Sequence, residues 1–149
     1  MKILKPKSSH YQRSNPRLLT LCIALSSYSM SAHAEIMFSQ YIDGVSNQKG
    51  VEIYNPDQKT VDLSHYTILQ YSNGASTAGN TFALSGSLGP QQKIIVGRSE
   101  LQTALASITT PFQFLTKSLS FNGDDALVLM KGDTAVDRFG RVGEDPGTG

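Results

Sequence analysis

The stretch Phe121-Asn122-Gly123-Asp124-Asp125-Ala126-Leu127-Val128-Leu129-Met130 decides the fold class. Its first half is turn chemistry: glycine tolerates positive φ, and short Asp and Asn side chains bind local amides. Its second half is apolar at every position, which reads as a central strand covered on both faces. Leu127 and Leu129 are two apart, so they line one face. Gly132-Asp133 is a second turn, and Thr134–Phe139 is the next strand candidate.

The same alternation of turns and short strands runs through the chain upstream. Asp43-Gly44, Asn55-Pro56-Asp57, Ser72-Asn73-Gly74 and Gly89-Pro90 punctuate it. Between them lie Ile36–Ile42, Val51–Tyr54, Tyr66–Tyr71, Thr81–Leu84 and Lys93–Val96, rich in β-branched and aromatic residues. Ser76–Asn80 reads as a loop. Seven short strands at this spacing argue for an antiparallel sandwich or barrel. Val51, Ile53, Leu63, Ile95, Leu127 and Leu129 are the expected shared core. One helix is expected: Ser99 to Gln102 reads as a capping box, and Leu101, Ala104, Leu105 and Ile108 recur at helical steps across the end of the sandwich.

The front of the chain differs. Residues 1–34 contain Lys2, Lys5, Lys7, Arg13 and Arg17 and no acid. A short apolar run from Leu18 to Leu25 follows, then Ala32-His33-Ala34 ahead of Glu35. A basic start, a short apolar middle and small residues at −3 and −1 are the layout of a secretory signal peptide, with the cut between Ala34 and Glu35. The apolar run is too short to span a bilayer. Cys22, the single cysteine, fits a lipid-attachment box poorly because the bulky Leu21 precedes it. Residues 1–34 are thus expected to be an export address and 35–149 the domain, secreted or periplasmic. A mature chain without cysteine suits an exported bacterial protein that folds without disulfides.

Of 149 residues, 13 are Lys or Arg and 12 are Asp or Glu. Residues 35–149 keep eight of those bases against all twelve acids, a net charge of −4. Direct nucleic-acid binding is not expected of such a domain, since phosphate affinity comes from Lys and Arg. The catalytic inventory is thin. His65 is the one histidine after residue 34, and no cysteine accompanies it, so a zinc site is not expected. No nucleophile elbow, phosphate loop or dinucleotide fingerprint is present. His65 reads as a turn residue beside a strand. The densest polar cluster is Asn122, Asp124 and Asp125, for which two readings stand: a structural turn, or a calcium site built from hard oxygens. Its spacing matches no EF-hand loop, and as sequence neighbours Asp124 and Asp125 make a poor acid/base pair. No cofactor is expected beyond that calcium alternative.

Four stretches together resemble the lamin-tail domain family in its bacterial exported branch. They are Val51-Glu52-Ile53-Tyr54-Asn55-Pro56 with Val61-Asp62-Leu63-Ser64-His65-Tyr66; Leu84-Ser85-Gly86-Ser87-Leu88 with Ile94-Ile95-Val96; Phe121 to Leu129; and Val136-Asp137 to Gly140, then Gly143 to Gly147. The resemblance covers about residues 35–149. It implies an all-β, immunoglobulin-like antiparallel sandwich, a non-enzymatic binding module, and a mainly structural role for Asn122 to Asp125. Family members continue into a tryptophan-bearing closing segment; this chain has no Trp, so the resemblance implies a sandwich short of its last strand. In bacteria such modules are often joined to secreted nucleases of the endonuclease/exonuclease/phosphatase type. The alternative expectation is therefore the N-terminal piece of such a nuclease, with an unknown protein or a downstream catalytic domain as partner.

Overall fold

A computed structural model describes residues 34–147. The predicted export signal and Cys22 fall in residues 1–33, outside the described residues. Among the described residues ten strands are formed: β1 (Met37–Asp43), β2 (Lys49–Tyr54), β3 (Val61–Asp62), β4 (Tyr66–Tyr71), β5 (Asn80–Ala83), β6 (Ser87–Leu88), β7 (Lys93–Gly97), β8 (Gln113–Thr116), β9 (Ala126–Lys131) and β10 (Thr134–Phe139). One sheet has the order β1-β2-β7-β8 and the other β10-β9-β4-β5, with β3 and β6 as a short extra pair. Pairing is antiparallel throughout except between β7 and β8. The two sheets face each other across one core, an immunoglobulin-like β-sandwich.

Parity along the strands decides which side chains fill that core. Val51 and Ile53 in β2 stand opposite Val96 and Ile94 in β7. Directly opposite residues share a face, so all four point inward and all are buried. Ile68 in β4 stands opposite Leu129 in β9, and Leu127 shares their face. Leu63, Leu84, Leu88, Leu119 and Phe121 fill the ends of the same cluster.

The register corrects one expectation. Ile95 does not join the core; its neighbours Ile94 and Val96 do, and Ile95 is half-buried on the outer face. In a run of three β-branched residues, composition is silent about parity, and the pairing with β2 settles it. By contrast Ala126, Leu127, Val128 and Leu129 are all buried, so β9 is covered on both faces as its apolar run implies.

The helix departs further from expectation. It spans Ser99–Ala104 (α1) and continues as a single tight turn, Leu105–Ser107. Ser99 does not cap it: Arg98 is the N-cap, and the Ser99 hydroxyl donates to Glu100. The chain leaves Gly97 in extended geometry and begins helical φ/ψ at Ser99, one residue too early for the box. Only Leu101 of the expected apolar face is buried. It seats α1 on the outer face of the first sheet, where Gly50 and Gly97 lie opposite each other. A Cβ on Gly50 would come within 2.4 Å of the Leu101 Cδ2 atom. Two glycines are thus what admits the helix this close.

β1 and β10, the end strands of the two sheets, close on each other. Each carries a bulge, at Phe38/Gln40 and Ala135/Asp137. Bulges free backbone donors at strand edges. Here the Phe38 N–H donates to the Asp137 carboxylate at 2.7 Å. Tyr41 stacks on Phe139 with ring centroids 4.4 Å apart and packs on Phe121 at 4.5 Å.

Candidate functional site

The Asn122–Asp125 stretch forms a buried polar knot with β4. Asp125 is 5% exposed. Its Oδ1 accepts from the Asn73 backbone N–H at 3.0 Å, and its Oδ2 from the Gln70 carboxamide at 3.1 Å and the Ser72 hydroxyl at 3.3 Å. Gln70, fully buried, also accepts from the Ser120 N–H at 3.2 Å. The Asn122 carbonyl takes the Tyr41 hydroxyl at 2.8 Å and the Asp125 N–H at 3.2 Å. Burial, with Asp43, Asp125 and Asp124 nearby, pushes the Tyr41 hydroxyl far above the usual phenol range. Gly123 does not adopt positive φ, so the turn is held by these bonds rather than by glycine's freedom. Asp124 is also buried, and its Oδ1 finds no hydrogen-bond partner. Among the described residues no three His, Cys, Asp or Glu side chains gather as a metal centre would need.

A second polar anchor is Asn55. Its carboxamide nitrogen lies within 2.8–3.0 Å of the carbonyls of Lys59, Leu88 and Gly89, and its oxygen accepts from the Asp57 N–H. The sequence marks Asn55 as a turn residue and part of the family motif, without its anchoring role, and does not mark Gln70. For Gln70 a signal existed: it shares strand parity with Tyr66 and Ile68, so a buried β4 face had to hold a polar group.

His65 sits in the one-turn helix Leu63–His65, 71% exposed, with Nε2 3.9 Å from the Asp62 carboxylate. It borders a cleft of about 250 Å³ shared with Glu35, Tyr66 and Lys131. Glu35 accepts from the Lys131 ammonium at 2.6 Å and the Tyr66 hydroxyl at 2.7 Å. The Lys131 contact holds the Glu35 carboxyl below the ordinary carboxylate range, and Glu35 holds the ammonium above its own.

The larger concavity was not foreseen. It is a groove of about 680 Å³ on the outer face of the first sheet. Gln40, Ile42, Glu52, Lys93 and Ile95 form its floor. The chain from Leu105 to Phe112, linking α1 to β8, forms its wall through Leu105, Ile108, Pro111 and Phe112. Ile108 is 50% and Phe112 39% exposed. The floor charges answer each other: the Glu52 carboxylate takes the Lys93 ammonium at 2.9 Å and the Ser39 hydroxyl at 2.7 Å. Burial pushes the Glu52 pKa up, and these two partners outweigh it, leaving it below the ordinary value. Carboxamides of Gln91, Gln92 and Gln113 line one end, with Gln113 donating to Gln92 at 3.2 Å. The lining thus combines an apolar wall, a floor with one matched ion pair and a neutral, hydrogen-bonding end. That composition suits binding.

No curated protein matches the sequence. The sequence model of one family does, over residues 29–143, and that family is described as Lamin Tail Domain. The match spans both sheets, the Asn122–Asp125 knot and the groove. With a sandwich of the implied architecture beneath it, the chain belongs to the lamin tail domain family.

Proposed function

We propose that this chain is an exported, non-catalytic lamin-tail module whose work is to contact another polypeptide. One observation carries the reading: Asp125, the carboxylate at the centre of the motif, is spent on bonds inside the fold, while the larger of the two clefts has an apolar wall and a floor whose Glu52 and Lys93 charges pair with each other. Asp125 is occupied by three donors, and His65 faces solvent. The front-end basic and apolar layout supports export. The same role serves whether the contacted polypeptide is a separate protein or a catalytic domain, such as a nuclease, carried downstream.

Purified protein is to be incubated with plasmid DNA, a phosphate monoester and an acyl ester, each with and without magnesium, manganese or calcium. No turnover above buffer is expected. Cleavage that survives repurification would overturn the reading, and its dependence on His65→Ala would locate the site.

A further inference from the structure

We infer that the free edge of β8 and the adjoining groove together accept an uncharged, extended segment of a partner polypeptide, added as a strand. This deepens the proposed function and rests on it. Four strands end the two sheets: β1, β8, β10 and β5. β1 and β10 seal each other through Asp137 and the Tyr41–Phe139 stack. Of the two left, β8 alone borders the large groove, through Gln113 and the adjoining wall residue Phe112.

Among the described residues β8 pairs on one side only, with β7. The Lys117 N–H donates to the Gly97 carbonyl at 2.7 Å. Backbone direction alternates along a strand. Hence Gln113 and Leu115 direct their N–H and C=O groups to β7, and those of Phe114 and Thr116 face outward. A ladder of alternating donors and acceptors is matched by another backbone, which makes the occupant a polypeptide.

The groove sets the side chains. Phe112 and Phe114 lie edge to face, ring centroids 6.4 Å apart, where the wall runs into β8. Ile95 and Ile108 extend that apolar surface. Residues 35–149 carry a net charge of −4, yet the groove's only charges, Glu52 and Lys93, neutralise each other. An arriving Lys, Arg, Asp or Glu would lose water there without gaining a partner. The segment is therefore apolar or β-branched at alternate positions, with uncharged polar residues between.

The test selects phage-displayed random nonapeptides on the full chain and then titrates a synthetic, end-capped copy of the enriched sequence. Enriched peptides should be uncharged with alternating β-branched or aromatic residues. N-methylation at alternate residues should weaken binding about tenfold in one parity and little in the other, as loss of one or two ladder bonds requires. Thr116→Pro, which removes an outward donor along with the exposed Thr116–Gln102 side-chain bond, should weaken binding with a small shift of the thermal midpoint that Thr116→Val reproduces without the binding loss; Phe112→Gln, which leaves the backbone intact, should weaken binding with the midpoint unchanged. Absence of enrichment, charged winners, or indifference to N-methylation in both parities would overturn the inference. So would self-association that Thr116→Pro abolishes, since the occupant would then be a second copy. Catalytic turnover sinks the underlying function; an inactive chain that binds no strand sinks this inference alone.

Discussion

The knot around Asp125 and the groove over Ile95 are built from opposite materials. The knot is polar and, the Asp124 Oδ1 atom aside, internally bonded: Gln70, Ser72 and the Asn73 N–H converge on the buried Asp125 carboxylate. The groove is open, apolar along its wall, with its one ion pair already matched. A buried charge without its donors is costly, so the knot has little freedom to serve anything but the fold. Exposed apolar surface is costly too, unless something covers it. Polar residues that look reactive can therefore be scaffold, and unremarked apolar residues can be the working surface.

That contrast breaks first at Gln70. Gln70→Ala removes a buried donor to Asp125, a donor to the Ser120 hydroxyl and the acceptor for the Ser120 N–H. Urea unfolding should show a loss of about 2–4 kcal/mol, the range for a buried charge stripped of a partner. A loss under about 0.5 kcal/mol, the size of an ordinary surface change, would mean the knot is not closed.

Gly50→Ala probes the joint between sheet and groove wall. The new Cβ meets Leu101 and lies 3.0 Å from the Val96 carbonyl, which is backbone and cannot step aside. Overpacking of this kind costs about 1–3 kcal/mol. Thermal unfolding should show it, with faster amide exchange in α1 than in β9.

Acid acts more weakly, at the Glu35–Lys131 contact. The folded pKa of Glu35 is lowered, so its contribution is full above the unfolded value near 4.3 and is lost as pH falls through the folded pKa. Lys131 is raised, so its share is full below about 10.4 and is lost as pH rises through its own folded value. Both side chains are more than a third exposed, so the pair is worth about 0.2–1 kcal/mol. Glu35→Gln should flatten the stability profile below pH 5 by that amount.

The smallest effect is expected at Ile108. Ile108→Ser removes an exposed groove wall residue, and stability should move by less than about 0.5 kcal/mol. A larger loss would make the wall part of the core and narrow the contrast with the knot.

Sequence legibility followed the same division. The seven expected strands all form, because turn residues and β-branched runs act locally. β3, β6 and β8, at two to four residues, are too short to show a period. β8 also depends on a parallel partner across a long connection, which no local pattern reports. Ile95 was misplaced because parity within Ile94-Ile95-Val96 is set by pairing with β2. That Asn122–Asp125 makes a turn was legible, but its partners Gln70 and Ser72 are far away in sequence. The groove has no motif, since its floor comes from three strands and its wall from the crossover that follows α1.

The most direct test of the scaffold reading is urea unfolding of the wild type and Asp125→Ala, each in calcium and in chelator. Asp125→Ala removes acceptors for three buried or half-buried donors and should cost about 3 kcal/mol. The account predicts the same loss in both conditions and a wild-type midpoint indifferent to calcium. A wild type stabilised by calcium, with a loss in Asp125→Ala that disappears in chelator, would contradict it and make the turn a metal site.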